Sequence, residues 1–191
     1  RRAGNFEYLK EAGWQHGFEV HHFDTVADAG VRVSSSAVRA ALGAGDLDRA
    51  QQLLGRPYRI SGHVLHGEKL GRALGFPTLN LALTDRRRVR QAPLSGIFVV
   101  EVHGLADGPL PGVASVGARP TVDDSGRMLL EVHLFDFAQT VYGKLVRVDF
   151  LKKLRDQEKY DSLDALKAAI ADDAATASAH FAGAGTPPIT L

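Results

Sequence analysis

Beyond Pro57 the chain carries one short Val-, Ile- and Leu-rich run after another, with no helix-length pattern between them. Tyr58–Leu65, Gly96–His103, Val113–Val116, Met128–Phe135 and Leu145–Leu151 alternate in part and are separated by Gly and Pro turns, and Leu79–Leu83 supplies a sixth run. Strands with no helices between them argue for an antiparallel sheet or a small closed barrel and against a βαβ fold. One amphipathic helix follows, capped by Ser162, with Leu163, Leu166, Ala169, Ile170 and Asp173 at turn-by-turn spacing. The tail 183–191, with Pro187-Pro188, is expected to be disordered.

The first third has a different texture. Phe6, Leu9, Lys10 and Trp14 fit a short helix stopped near Gly17, and Phe18–Phe23 alternates like a strand. Ser34-Ser35-Ser36 offers an N-cap for a helix from Ala37 to Leu42, ended by Gly43 and Gly45. Asp46 caps another from Leu47 to Leu54, which stops at Gly55. The first residues, Arg1-Arg2-Ala3-Gly4, lack an initiator Met and read as a cut inside a longer protein.

The stretch Gly71-Arg72-Ala73-Leu74-Gly75-Phe76-Pro77-Thr78-Leu79-Asn80, preceded by His66-Gly67-Glu68-Lys69, carries the clearest chemistry. Gly71 and Gly75 can supply positive φ and let a phosphate approach backbone N–H groups, and Lys69 can neutralise it. Thr78 and Asn80, two apart on an extended segment, present oxygens to one side, where a hard cation such as Mg²⁺ could be held. The Walker pattern is absent, so this is a nucleotide site on a β scaffold and not a P-loop. Glu131, in Leu129-Leu130-Glu131-Val132-His133-Leu134-Phe135-Asp136, is the candidate base. Inside a barrel's mouth its carboxylate would be costly without a role; on a solvated face it needs none. The residues alone leave both readings open. His133 shares its face and has the same two readings, with the structural one favoured.

Composition narrows the classes. Hydrophobic residues at 45% and charged residues at 24% suit a globular chain, and a net charge of +1 gives no push towards nucleic acid or membrane. The run Arg86-Arg87-Arg88 with Arg90 reads as a solvated loop or, alternatively, as a phosphate-steering patch. A chain without cysteine has no disulfide or thiolate metal site, and a cytoplasmic location is expected. No apolar run approaches the roughly 18 residues that span a bilayer. His21, His22 and His103 do not make a zinc constellation.

From Gly55 to about Phe181 the chain closely resembles the riboflavin kinase domain of the prokaryotic bifunctional riboflavin kinase/FMN adenylyltransferases (FAD synthetases). The matching blocks are Leu54-Gly55-Arg56-Pro57-Tyr58, Gly62-x-Val64-x-His66-Gly67, Gly71 through Asn80, Gly96-Ile97-Phe98, Gly117-x-Arg119-Pro120-Thr121, Glu131-Val132-His133-Leu134-x-Asp136-Phe137, Tyr142-Gly143 and Leu154-Arg155-Asp156. Their order and spacing are the family's. The resemblance implies a mainly β fold: a six-stranded antiparallel Greek-key barrel with a C-terminal helix, preceded by an α-rich remnant of a Rossmann-like nucleotidyltransferase domain. It implies domains at 1–55, 56–182 and a flexible tail at 183–191.

The implied activity is transfer of the ATP γ-phosphate to the riboflavin 5′-hydroxyl, giving FMN. The implied roles are Mg²⁺ on Thr78 and Asn80, and Glu131 as base. ATP would meet Gly62, His66, Gly67, Lys69, Gly71, Gly75, Phe76 and Pro77, and the flavin would meet Leu151 and Arg155. Ser34, Ser35, Ser36 and Arg39 resemble a phosphate-binding block of the adenylyltransferase module, whose His-x-Gly-His partner motif has no counterpart here. Two departures stand out: Leu79 replaces the family's usual Ala, and Gln157 stands where many members are acidic. The alternatives are FMN adenylylation in a full-length parent, or a non-catalytic flavin- or nucleotide-binding barrel. Nucleic-acid binding lacks a basic patch interleaved with aromatics.

Overall fold

A computed structural model describes residues 5–21, 24–28, 30–67, 70–85, 88–89, 92–118 and 128–183. Lys69, the arginines at 86, 87 and 90, the Arg119-Pro120-Thr121 block and the tail from 184 lie outside the described residues. The chain divides into two compact units, residues 1–33 and 34–191.

The first unit holds α1 (Phe6–His16) and a two-stranded ribbon of β1 (Ala27–Asp28) and β2 (Val31–Arg32). Asn5 caps α1 by accepting from the Tyr8 N–H, and Gly17 ends it at φ 74°. The strand expected over 18–23 is not formed at residues 18–21; His22 and Phe23 lie outside the described residues. The Phe18 N–H returns to the Gly13 carbonyl, so the residue that would open the strand instead closes the helix.

In the second unit, α2 (Ser35–Ala44) starts on the Ser34 cap and ends at Gly45, φ 76°. Gly43 does not end it as expected but lies within it. The helix α3 (Leu47–Leu54) runs from the Asp46 cap to Gly55. The remaining elements are β3 (Tyr58–Leu65), α4 (Leu70–Ala73), β4 (Thr78–Ala82), β5 (Thr84–Asp85), β6 (Arg88–Val89), β7 (Gly96–His103), β8 (Leu110–Ala118), β9 (Met128–Leu134), β10 (Leu145–Arg155) and α5 (Leu163–Gly183). Six strands close a barrel in the order β10-β3-β4-β9-β8-β7, and every pairing is antiparallel. The consecutive strands β7, β8 and β9 form hairpins, and β10 returns to lie beside β7, which is a Greek key.

Alternation sorts the barrel's two faces. Phe98, Val100, Val102, Val116, Leu130, Val132, Val146, Val148 and Phe150 fill the interior, with Phe98 edge-on to Phe150 at 5.4 Å. Ala41, Leu42, Leu47 and Ala50 of α2 and α3 join this interior cluster. The outer face also carries apolar residues where α5 crosses it. Val99, Val113 and Phe135 pack there against Ala174, Ala177 and Phe181 of α5. Small residues on the helix let its backbone come close to the strands.

Candidate active site

The strand β4 turns Leu79 and Leu81 into the barrel and Thr78 and Asn80 out of it. The substitution of Leu for Ala at 79 therefore fills core space and leaves the neighbouring oxygens on the other face. The strand β9 is sorted the same way: Leu130, Val132 and Leu134 are interior, whereas Glu131 and His133 are outside. Glu131 is thus not in the barrel's mouth. It stands on the outer wall, with Asn80 opposite on β4 and Ser115 opposite on β8.

Asn80 is 6% exposed although it points away from the core, and Gly67 covers its side chain. Among the described residues its buried Oδ1 has no hydrogen-bond partner, and its Nδ2 donates a long bond of 3.4 Å to the Thr78 carbonyl. Gly67 lies against the carboxamide so closely that a Cβ there would collide with it. Gly71 likewise has no room for a side chain: a Cβ would meet the Phe76 carbonyl and come within 3.4 Å of the Thr78 hydroxyl. Gly75 is the one of this pair in the left-handed region, φ 94°. The loop is tighter than a glycine-rich coil, since it contains the single turn α4 and closes with Phe76 N–H donating to the Gly71 carbonyl at 2.7 Å.

A cavity of about 460 Å³ opens beside this cluster. Thr78, Gly71, Glu131 and His133 form its polar end, and Ile97, Val113, Leu166 and Ile170 its apolar wall. Arg155 at the end of β10 closes one side through a two-pronged ion pair with Asp173 of α5, Nε to Oδ1 at 2.8 Å and Nη2 to Oδ2 at 2.7 Å. This hydrogen bonding raises the Arg155 guanidinium above its ordinary pKa. Its remaining arm donates to the Asp156 carbonyl at 3.0 Å.

The other expected site residues are placed unevenly. Phe76 lines the cavity, edge-on to His133 at 5.4 Å, while Pro77 offers its carbonyl to His133 Nδ1 at 2.9 Å. His66 stacks on Tyr142, centroids 3.8 Å apart. Gly62 faces the barrel interior, where a Cβ would touch Leu81 at 3.4 Å. Leu151 packs into the cluster beneath α5 and is not among the cavity's lining residues. Ser34 is the cap of α2, and Ser35, Ser36 and Arg39 are exposed on that helix. Sequence reasoning missed Gln157, Tyr160 and Asp173 as lining residues. Gln157 donates to the Ser115 hydroxyl at 2.9 Å and lies across Gly117, a contact between segments far apart in sequence. Asp173 had a signal in its acidic side chain on the apolar stripe of a helix, but its partner lay on another element.

Fold and site together define a small Greek-key barrel that carries the candidate groups Thr78, Asn80 and Glu131 on its outer wall. The family model "Flavokinase: Riboflavin kinase" matches residues 54–181, and the chain belongs to that family. It is 48% identical over 180 residues to the bifunctional riboflavin kinase/FMN adenylyltransferase of Escherichia coli K12, covering 94% of this chain and 56% of that protein. The Pseudomonas fluorescens protein of the same name is 51% identical over 179 residues, 93% of this chain and 56% of that one. The chain therefore spans just over half the length of these relatives. A crystal structure described as a macrolide-efflux protein from Streptococcus pneumoniae superposes with TM-score 0.68 at 36% identity, covering 89% of this chain and 53% of that chain. No helix among the described residues is long and apolar enough to cross a membrane.

Proposed function

We propose that this chain is a riboflavin kinase that transfers the γ-phosphoryl group of ATP to the riboflavin 5′-hydroxyl. The observation that carries the reading is the pairing across the β4–β9 ladder of the buried Asn80 with Glu131, which together with Thr78 lines the cavity, within a chain of this family. A buried Oδ1 without a partner is a costly arrangement in a protein. It fits a ligand oxygen for Mg²⁺, with Thr78 as the second, both hard donors of the type that ion selects. When bound, the ion would neutralise charge on the transferring phosphoryl group.

The chain's own residues do the rest. Backbone amides of the glycine-rich loop, Gly67 and 70–75 among the described residues, would cradle the phosphates, with the charge of Lys69 as a further contribution. Glu131 accepts the proton of the attacking hydroxyl as the new P–O bond forms and ADP leaves. The apolar wall takes the isoalloxazine ring, and the Arg155–Asp173 pair holds α5 at the width the ring needs. An alcohol is a weak acid, so positioning and electrostatics supply most of the rate and the base a smaller part.

A second reading applies to a longer protein. The relatives align over 180 residues, more than the kinase model's 54–181 can contain, so the likeness runs into the residues before it. Residues 1–55 fit the trailing part of an FMN adenylyltransferase module, with 56–182 the kinase and 183–191 a tail. Chromatography of products from ATP with riboflavin, and separately with FMN, tests both. The chain should yield FMN from the first mixture and no FAD from the second.

A further inference from the structure

His133 lies two residues beyond Glu131 on the same outer face of β9, directly opposite Thr78, and the chemistry above leaves it unused. Its Nδ1 is 2.9 Å from the Pro77 carbonyl oxygen. A carbonyl can only accept, so this bond selects the tautomer that carries its proton on Nδ1. Phe76 and Phe135 hold the ring edge-on, at 5.4 Å and 82° and at 5.9 Å and 75°. The ring is therefore fixed in position and in tautomer. Nε2 is left with a lone pair and no hydrogen bond among the described residues, on a partly exposed side chain that lines the cavity.

We infer that His133 is a specificity-determining residue that reads the polyol chain of the flavin, a step that rests on the riboflavin kinase reading. Its two nitrogens divide the work. Nδ1 ties the turn carrying Thr78 to the strand carrying Glu131, and Nε2 accepts a hydrogen bond from a ribityl hydroxyl. Two residues along a strand span about 7 Å, a distance that a five-carbon chain bridges once its terminal hydroxyl rests at Glu131. The middle of that chain then passes the imidazole before the ring reaches Ile97, Val113, Leu166 and Ile170. A hydroxyl entering this partly desolvated end needs an acceptor, and Nε2 is the one the fold has oriented.

The discriminating substrate is 10-(5-hydroxypentyl)isoalloxazine with riboflavin's ring substituents, which keeps the reacting hydroxyl and lacks the three between it and the ring. The wild-type chain should prefer riboflavin in kcat/KM. The variant His133→Asn keeps a donor where Nδ1 stands, so it retains the tie to Pro77 while it loses the Nε2 acceptor and the ring's contacts with Phe76 and Phe135. Its preference should fall about tenfold, kcat/KM for riboflavin falling by more than kcat/KM for the analogue. In His133→Phe both nitrogens go, so turnover falls on both substrates and the preference falls as in His133→Asn. An unchanged preference in either variant would overturn the inference, because a purely structural His133 would slow both substrates alike. A wild-type chain that phosphorylates neither flavin would overturn the kinase reading itself, and the inference with it.

Discussion

Asn80 and Glu131 face one another directly across the β4–β9 ladder, an amide with an unmet acceptor on one strand and a carboxylate on the next. Directly opposed residues in an antiparallel pair hold their Cβ atoms about 4.5–5.5 Å apart. Candidate metal ligand and candidate base therefore share one small volume set by strand register. The loops above can move without separating them.

If Glu131 takes the hydroxyl proton, Glu131→Gln removes the base while keeping the shape. Turnover should fall about 100-fold or more, with ATP affinity within about twofold of wild type. Steady-state FMN formation and a nucleotide titration on the same preparation check the two halves. Undiminished turnover would take the base role away from Glu131.

Gly67→Ala places a methyl group against the Asn80 carboxamide. The amide must turn away from the face it shares with Thr78, so the Mg²⁺ concentration for half-maximal activity should rise several-fold. The melting temperature should change little, since the collision is with a side chain at the surface of the barrel and not with its core. A magnesium titration of activity beside a thermal melt tests this.

The Arg155–Asp173 pair fastens α5 to the end of β10, with side-chain exposures of 26% and 11%. Asp173→Ala leaves the guanidinium partly buried without its partner, and partial access of water limits the cost to about 2 kcal/mol. The variant should melt earlier, and its KM for riboflavin should rise more than its KM for ATP, because α5 forms the apolar wall. Equal changes in both constants would argue against α5 as the flavin side.

Leu42 is 1% exposed and belongs to the barrel's interior cluster, although it lies before the residues matched by the kinase family model. Leu42→Ala should cost about 2–4 kcal/mol. Deleting residues 1–33 should leave the barrel's stability nearly intact, while deleting 1–55 should lower it sharply. Denaturant midpoints of the three proteins decide whether α2 and α3 are part of the working barrel.

Strand limits were legible wherever Pro and Gly bracket an alternating run: Tyr58–Leu65 and Gly96–His103 have the same bounds in sequence and structure. Alternation also placed Glu131 and His133 together. It could not say which face was interior, because α5 makes part of the outer wall apolar as well, so the choice between barrel mouth and outer face for Glu131 stayed open until the structure placed it outside. The segment over 18–21 alternates yet forms no strand pairing among the described residues, since period-2 patterning describes a surface and does not supply a partner strand. The Arg155–Asp173 clasp and the Gln157–Ser115 bond were invisible for a related reason. Each joins residues whose proximity exists only once the barrel has closed and α5 has docked.

The central claim is tested most directly by incubating the folded chain with riboflavin, ATP and Mg²⁺ and following flavin products and ADP together. FMN and ADP should form in equal amounts, dependent on Mg²⁺ and nearly abolished in Glu131→Gln. A folded chain that binds flavin and ATP yet forms no FMN would contradict it.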